Sequence, residues 1–186
     1  MALKWSDVDF EKGILSITRS LERSKKGVKF KTPKTARGRR VVDLDPGTVA
    51  LLLEERRKHQ QIMAGVEDGA GVDLSLIKLP QDALVFPVGL TERTVTFTKT
   101  RDPVELSRNF RRIAKRLGFP KVRLHNLRHS HATALLDAKV AVHRVAARIG
   151  DDPAILLRIY ARLTKQKNDT MSEAANALGT LILGSG

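Results

Sequence analysis

One tyrosine and one histidine–arginine pair are the residues of this chain whose types and spacing could act on a phosphodiester. Tyr160 is the only tyrosine among the 186 residues, and a phenol becomes a nucleophile where neighbouring cations favour its ionised form. His125 and Arg128 are three residues apart, which places both on one face of a helix. A guanidinium can hold two phosphate oxygens at once. These residues predict a site in which a phenolic oxygen attacks a phosphate.

The basic residues are clustered in three parts of the sequence. The chain has 34 Lys and Arg against 20 Asp and Glu, a formal net charge of +14. Residues 19–40 contain ten basic residues and one acidic residue, and residues 99–128 contain ten basic and two acidic residues. Residues 139–167 contain seven basic and two acidic residues. Such clusters can form the positive surface that a phosphate backbone requires. Because aromatic residues are only 4%, stacking on single strands is disfavoured, and double-stranded DNA is the predicted partner.

Several classes of protein are excluded by what the sequence lacks. Without cysteine, the chain has no disulfide, zinc–thiolate site or iron–sulfur cluster. No apolar run approaches the ~18 residues of a membrane span, and neither a secretory signal nor a Walker A sequence occurs. We therefore predict no cofactor, no metal and no membrane partner. The expected location is the bacterial cytoplasm, in association with the nucleoid.

A metal site built from histidines is the alternative reading of the same region. His125 and His129 are four residues apart, a spacing that can place two imidazoles on one metal ion. No cysteine is available, and the nearest downstream carboxylate is Asp137. We therefore interpret His129 and His131 as packing or hydrogen-bonding residues.

Three short strands are predicted near the start of the chain. Residues 14–18 are apolar and β-branched, residues 28–32 alternate with a period of two, and residues 40–44 form a third run. A basic loop at 33–39, with a proline and a glycine, separates the last two. The pattern predicts a small antiparallel three-stranded sheet with a cationic turn.

Helices are predicted for most of the remaining chain. Two Asp-Pro pairs, at residues 45–46 and 102–103, each combine an N-cap with a proline at the first helical position. The helices that they begin are expected to run to about Met63 and to Gly118. Further helices are expected over 124–138, over 142–149 and from Pro153 onward, with Gly150 as a stop. The predicted fold class is therefore α+β and mainly helical.

The glycine-rich residues 64–82 are predicted to be an internal loop, and residues 83–86 an isolated strand. No internal repeat or low-complexity segment accompanies them. Neither segment contains a residue that we assign to the chemistry.

Four segments in the same order resemble the tyrosine recombinases, the family of phage-type integrases. Residues 3–10 resemble the segment after the family's first catalytic arginine, and residues 31–40 resemble the β-hairpin with its catalytic lysine. Residues 123–133 resemble its His-x-x-Arg box. Residues 148–150 and 157–162 resemble the segment of its nucleophilic tyrosine. A single His-x-x-Arg would be weak evidence, but an ordered set across nearly the whole chain is specific. The resemblance implies the tyrosine-recombinase catalytic-domain fold in one domain, residues 1–186. It also implies site-specific DNA recombination or integration, as in phages and mobile elements.

The resemblance further implies a role for each site residue. Tyr160 would attack the scissile phosphate, leave a 3′-phosphotyrosine and free a 5′-hydroxyl, with Arg128 and His125 holding the phosphate. Lys34 would donate a proton to the leaving 5′-oxygen. Because the covalent linkage conserves the phosphodiester energy, neither ATP nor a metal is needed.

Two departures from the family pattern predict an impaired enzyme. The family's first arginine is expected about nine residues before Trp5, which would place it before Met1, so the domain is expected to be N-terminally truncated. Asp151 follows Gly150, where the family usually has a histidine. An ionised carboxylate cannot donate a hydrogen bond to a phosphate oxygen and repels it. Losing one such donor typically costs about 10²–10³ in rate.

The remaining cations of interest are predicted to contact DNA phosphates: Lys25, Lys26, Lys31, Arg37, Arg39, Arg40, Arg123, Arg158 and Arg162. The resemblance also implies self-association on DNA. One alternative stays open at the level of the sequence, a non-catalytic duplex-DNA-binding protein in which residues 142–162 form a helix-turn-helix and Tyr160 only packs.

Overall fold

The structure of the protein, a computed structural model, describes residues 1–25, 27–33, 35–67, 71–89 and 96–161. The chain divides into two compact units. The first is Met1–Asn126, and the second begins at Leu127.

The strands lie at the start of the first unit. They are β1 (Val8–Asp9), β2 (Ile14–Ile17), β3 (Ser20–Ser24), β4 (Gly27–Lys31) and β5 (Arg40–Asp43). β2 is the centre of an antiparallel three-stranded sheet with β1 and β5 at its edges. The predicted three-stranded antiparallel sheet is therefore confirmed.

The strands that make up this sheet differ from the prediction. Residues 28–32 were expected to join it, but β4 pairs with β3 in a separate two-stranded hairpin, from Ser20 opposite Lys31 to Ser24 opposite Gly27. The short connection after Ser24 makes β3 the nearest partner along the chain, and a short loop costs the least entropy to close. The third place in the sheet is taken by β1.

The first long helix, α1 (Pro46–Ala64), forms where its end signals predict it. The Asp45 side chain accepts hydrogen bonds from the Thr48 amide and hydroxyl, at 3.0 and 2.6 Å. These bonds hold the pKa of the Asp45 carboxyl below its usual range. At the other end Gly65 adopts φ 67°, a left-handed conformation that glycine allows without strain.

The core of the first unit lies between α1, the N-terminal residues and the segment around Val85. Its buried members are Trp5, Leu52, Ala83, Val85 and Phe97. Residues 83–85 hydrogen-bond through their backbone to Leu3, Trp5 and Phe97. Where residues 83–86 were predicted to be a strand, Leu84 forms an isolated antiparallel bridge with Lys4.

A buried histidine stands inside this core. The Trp5 indole donates a 3.0 Å hydrogen bond to Nδ1 of His59, whose side chain is wholly buried. Nε2 of His59 has no hydrogen-bond partner among the described residues and lies 3.6 Å from a carboxylate oxygen of Glu55. Burial lowers the pKa of His59, and the Glu55 carboxylate opposes that shift in part.

The later helices also follow their sequence signals. α2 (Pro103–Arg116) is capped at its N-terminus by Asp102, whose side chain accepts from the Val104 amide at 2.8 Å. α3 (Leu124–Asp137) begins after Arg123, whose amide donates to the Asn126 side chain at 2.9 Å. A side chain at the third helical position that accepts from the backbone of the N-cap residue is one of the two hydrogen bonds of a capping box.

The second unit packs the end of α3 against α4 (Val142–Ile149) and a helical segment at 153–161. Its buried cluster is Ala132, Leu136, Val145, Ala146, Ile149 and Leu156. Gly150 ends α4 in the left-handed conformation, φ 70°, as predicted for a stop. The side chain of Asp152 accepts from the Ala154 amide at 2.8 Å and caps the segment that follows. Within the residues that the structure describes, no helix has the length and apolar character needed to cross a membrane.

Candidate active site

Arg128 is held in a defined position within the second unit. It lies in the second turn of α3 and is partly exposed. One terminal nitrogen, Nη2, donates a hydrogen bond to the backbone carbonyl of Ile149 at the end of α4. The same nitrogen is 4.0 Å from Oδ2 of Asp151. The guanidinium is therefore fixed to the turn that follows α4.

The local backbone explains why Asp151 reaches Arg128. The left-handed Gly150 reverses the chain at the end of α4, and the Asp151 amide then donates to the Ala146 carbonyl at 2.9 Å. The Asp151 side chain is partly buried and accepts from the Asp152 amide at 2.9 Å. The structure brings together Arg128 and Asp151, two of the predicted site residues, and the second adds a negative charge beside the first.

A second arginine, Arg148 on α4, contacts α3. Nε of Arg148 donates to Nε2 of His131 at 3.1 Å. Because a guanidinium can only donate, Nε2 of His131 is the acceptor in this contact. His131 is one turn after Arg128 along α3, so both arginines connect α3 to the end of α4. The sequence predicts no role for Arg148, although it lies two residues before the Gly150 stop.

Tyr160 lies in the helical segment 153–161 and packs against the apolar cluster of the second unit. Its hydroxyl donates to Oδ1 of Asp137, the last residue of α3, at 2.9 Å. Asp137 is nine residues after Arg128, a separation of about 13 Å along a helix axis. Among the described residues no hydrogen bond joins the Tyr160 hydroxyl to the guanidinium of Arg128.

Asp137 enters the sequence analysis only as a possible metal ligand, and its contact with Tyr160 was not predicted. A carboxylate at the C-terminal end of a helix is unfavourable because the helix dipole is negative there. That unfavourable position indicates that Asp137 has a specific partner, but the partner, Tyr160, is 23 residues away and no local pattern identifies it. Only the packing of the second unit shows which side chain it meets.

His125 is exposed in the first turn of α3, one turn before Arg128. The i, i+3 spacing of this pair therefore falls on a real helix, as predicted. No cluster of three metal-binding side chains occurs in the part of the chain that the structure describes.

The predicted phosphate contacts differ in exposure. Lys25, Arg37, Arg39, Arg123 and Arg158 are exposed, and Lys31 and Arg40 are partly buried. Lys31 is 2.7 Å from a carboxylate oxygen of Glu22, and Lys29 is 3.7 Å from the other. Glu22 therefore offsets part of the positive charge of the β3–β4 hairpin. Lys26, Lys34 and Arg162 lie outside the described residues.

Comparison with known proteins places this arrangement in a family. The model of the phage integrase family matches residues 1–167. The chain belongs to the phage integrase family.

A relative and two solved structures are similar to this integrase-family chain. A XerC-like tyrosine recombinase of Caldanaerobacter subterraneus subsp. tengcongensis is 27% identical over 190 residues, which cover 96% of this chain and 45% of the relative. The integrase of transposon Tn1549, solved in complex with a circular intermediate DNA, has a TM-score of 0.62 at 18% identity and covers 89% of this chain and 53% of its own. XerA recombinase has a TM-score of 0.50 at 21% identity, with coverages of 91% and 50%.

These similarities establish the fold of the integrase-family chain. It has the α+β, mainly helical architecture of a tyrosine-recombinase catalytic domain, as the sequence predicted. The chain spans about half the length of the relatives that it matches. The roles of Tyr160, Arg128, His125, Lys34 and Asp151 stay predictions.

Proposed function

We propose that this chain breaks and rejoins DNA strands in site-specific recombination through a covalent bond to Tyr160. The phenolic oxygen forms a bond to the scissile phosphorus, and the bond from phosphorus to the 5′-oxygen breaks. The products are a 3′-phosphotyrosine and a 5′-hydroxyl, whose proton comes from an acid of the site. Membership of the phage integrase family is the observation that carries this proposal. The Tn1549 integrase, similar in fold, was solved on DNA.

Arg128 is the proposed phosphate ligand. Its partly exposed guanidinium is already held by the Ile149 carbonyl, so little side-chain entropy is lost when a phosphate binds. A bound phosphate would lie in the field of the Asp151 carboxylate, 4.0 Å from Nη2. Asp151 therefore weakens binding of the charge that develops in the transition state, and we propose that the enzyme is slow for this reason.

The proposed nucleophile must leave its present partner. The Tyr160 hydroxyl is bonded to Asp137 at the C-terminal end of α3, whereas Arg128 is in the second turn of the same helix. In the reactive state residues 153–161 shift so that the hydroxyl reaches the phosphate held by Arg128. In that state the hydroxyl no longer donates a hydrogen bond to Asp137. The nearby cations favour the phenolate, and the proton of the phenol passes to solvent as the oxygen attacks.

Two further roles complete the proposed mechanism. His125 binds a non-bridging oxygen of the phosphate from the first turn of α3. Lys34 acts as the general acid that protonates the leaving 5′-oxygen. The family resemblance supports both roles.

A duplex with a nick next to the cleavage site tests this proposal, because loss of the short leaving strand prevents religation. We expect a covalent protein–DNA band that survives denaturation. Tyr160→Phe keeps the ring in the apolar cluster and removes only the hydroxyl, so it is expected to abolish the band. A band of undiminished intensity in the variant would overturn the assignment of Tyr160.

A non-catalytic duplex-DNA-binding protein is the second candidate function. α4, the turn at Gly150 and the helical segment 153–161 follow one another in the order of a helix-turn-helix. Arg158 is exposed on the second helical segment, and the Tyr160 hydroxyl is bonded to Asp137. Steeply salt-dependent binding without any covalent band would favour this function.

The finer expectations also belong to this proposal. We propose that the protein self-associates on its DNA sites and comes from a phage or another mobile element. We also propose a cytoplasmic, nucleoid-associated location and a single domain over residues 1–186.

A further inference from the structure

The loop that joins β4 to β5 contains one helical turn. The loop comprises residues 32–39, and the turn within it is Ala36–Gly38. The Gly38 amide donates to the backbone carbonyl of Thr35 at 3.0 Å and to the Thr35 hydroxyl oxygen at 3.2 Å. Gly38 and Thr35 are therefore joined through both the backbone and a side chain.

Pro33 lies very close to Gly38. A Cβ placed on Gly38 would be 2.5 Å from the Cβ of Pro33 and 3.5 Å from its Cγ. Carbon atoms that are not bonded to each other are stable at about 3.5–4.0 Å, so a side chain at this position does not fit unless Pro33 moves. Among the described residues, the glycines with a positive φ do not include Gly38. Glycine is therefore required here by the close approach of Pro33 and not by the backbone conformation.

Both ends of this loop are attached to strands. Before the loop, the Ser20 hydroxyl of β3 donates to the carbonyl of Lys31, the last residue of β4, at 3.2 Å. After the loop, Arg40 begins β5, and its Nη1 donates to the Gly38 carbonyl at 3.4 Å. The ring of Pro33 restricts its φ as well. These attachments limit how far the loop can move to accommodate a larger residue at Gly38.

We propose that the contact of Pro33 with Gly38 closes the loop and positions Lys34 for proton transfer. Lys34 lies between Pro33 and Thr35 in the chain, and both of these residues contact Gly38. Pro33 and Gly38 are thus positioning residues that act through Lys34. This inference rests on the proposed function, in which Lys34 is the general acid.

Proton transfer is sensitive to the position of the acid. As the bond from phosphorus to the 5′-oxygen breaks, the ammonium of Lys34 gives its proton to that oxygen, and the resulting amine later takes up a proton from solvent. A general acid must lie within about 2.6–3.2 Å of the atom that it protonates, and a misplacement of about 1 Å can cost about 100-fold in rate. A Cβ on Gly38 must move about 1 Å away from Pro33 to reach van der Waals distance. Gly38→Ala is therefore expected to displace the acid.

The test compares two nicked duplexes that differ in one atom, the bridging 5′-oxygen of the scissile phosphate or a sulfur in its place. A thiolate leaves without a proton, because the pKa of a thiol is about 8.5 and an alcohol is a far weaker acid. We expect Gly38→Ala to form the covalent band about tenfold to 100-fold more slowly than the unaltered chain on the oxygen substrate. On the sulfur substrate the two rates should agree within about twofold. A loss of folded protein would slow the reaction on both substrates.

Three further variants serve as controls. Pro33→Gly combined with Gly38→Ala removes the Cβ that the new methyl group would meet, so it should regain most of the rate on the oxygen substrate. Ala36→Ser adds one atom to an exposed residue of the same turn and should leave both rates unchanged. Lys34→Ala is the reference for loss of the acid, and it should be slow on oxygen and close to the unaltered chain on sulfur.

The outcomes distinguish this inference from the proposed function. If Lys34→Ala recovers on sulfur but Gly38→Ala is equally slow on both substrates, or slow on neither, the inference is overturned and the role of Lys34 stands. If Lys34→Ala does not recover on sulfur, Lys34 is not the acid and the inference fails with that role. Absence of a covalent band from the unaltered chain on both substrates would contradict the proposed function itself, and the inference with it.

Discussion

At the scale of single residues, the proposed chemistry depends on Arg128, whose guanidinium donates to a backbone carbonyl and lies 4.0 Å from a carboxylate oxygen. The Ile149 carbonyl orients the side chain without removing its charge. The Asp151 carboxylate, 4.0 Å from the guanidinium, offsets part of the positive potential that would attract a phosphate. The two neighbours of this arginine thus have opposite consequences for the proposed catalysis, because one orients the side chain and the other weakens the binding of a phosphate.

Exchanging the carboxylate for a donor is expected to speed the reaction. Asp151→His removes a negative charge and supplies a hydrogen bond to the phosphate, so the rate of covalent band formation should rise about tenfold or more. Asp152→Asn is the matched control, because it removes a neighbouring negative charge while an oxygen remains to cap residues 153–161. Equal rates in the two variants would contradict the proposal that Asp151 slows cleavage.

Releasing the nucleophile is expected to help as well. Asp137→Ala removes one acceptor of the Tyr160 hydroxyl, so less energy is needed to move the hydroxyl to the phosphate and the covalent band should form several times faster. Asp137→Asn keeps an oxygen acceptor and should change the rate less. A slower reaction in Asp137→Ala would instead indicate that Asp137 assists the tyrosine, and the proposed release would be wrong.

The buried His59 predicts a pH dependence of stability. Since its pKa is lowered in the folded state, the unfolded chain binds a proton more readily, and stability falls as pH drops below about 6.5. His59 contributes fully above that value, and its contribution is lost toward its lowered pKa. His59→Gln, which retains an acceptor for the Trp5 indole, should flatten the dependence between pH 7 and pH 5. Urea unfolding of both chains across this range measures it, and identical slopes would contradict the prediction.

At the scale of elements, the turn after α4 positions the site. Gly150 allows the chain to reverse there without strain at φ 70°, and this reversal brings the Ile149 carbonyl and Asp151 to Arg128. α3 presents Arg128 to that turn and carries Asp137 at its end. The proposed phosphate ligand, Arg128, and the partner of the Tyr160 hydroxyl, Asp137, therefore lie on the same helix.

Substitution of that glycine is expected to cost stability and activity together. Gly150→Ala places a Cβ in the left-handed region, which costs about 1 kcal/mol, and displaces the partners of Arg128. Gly150→Asn is the milder variant, because asparagine tolerates this conformation. Chemical denaturation gives the stability and the nicked duplex gives the activity. Equal stability of the alanine and asparagine variants would contradict the role given to the turn.

At the scale of the whole molecule, regular elements were predictable where a local signal existed. The two Asp-Pro caps gave the beginnings of α1 and α2 correctly, because capping is decided within one turn. The partner of residues 28–32 was predicted wrongly, since strand pairing depends on which run lies close in space. The contact of Tyr160 with Asp137 joins residues 23 apart and depends on the packing of the second unit.

The most direct test of the account is to identify the residue that becomes attached to DNA. The nicked duplex is incubated with the unaltered chain and with the Asp151→His variant, the covalent product is digested, and the modified peptide is sequenced by mass spectrometry. The account predicts that the peptide containing Tyr160 carries the 3′-phosphate of the cleaved strand, with more product in the variant. Attachment at another residue, or no attachment in either protein, would contradict it.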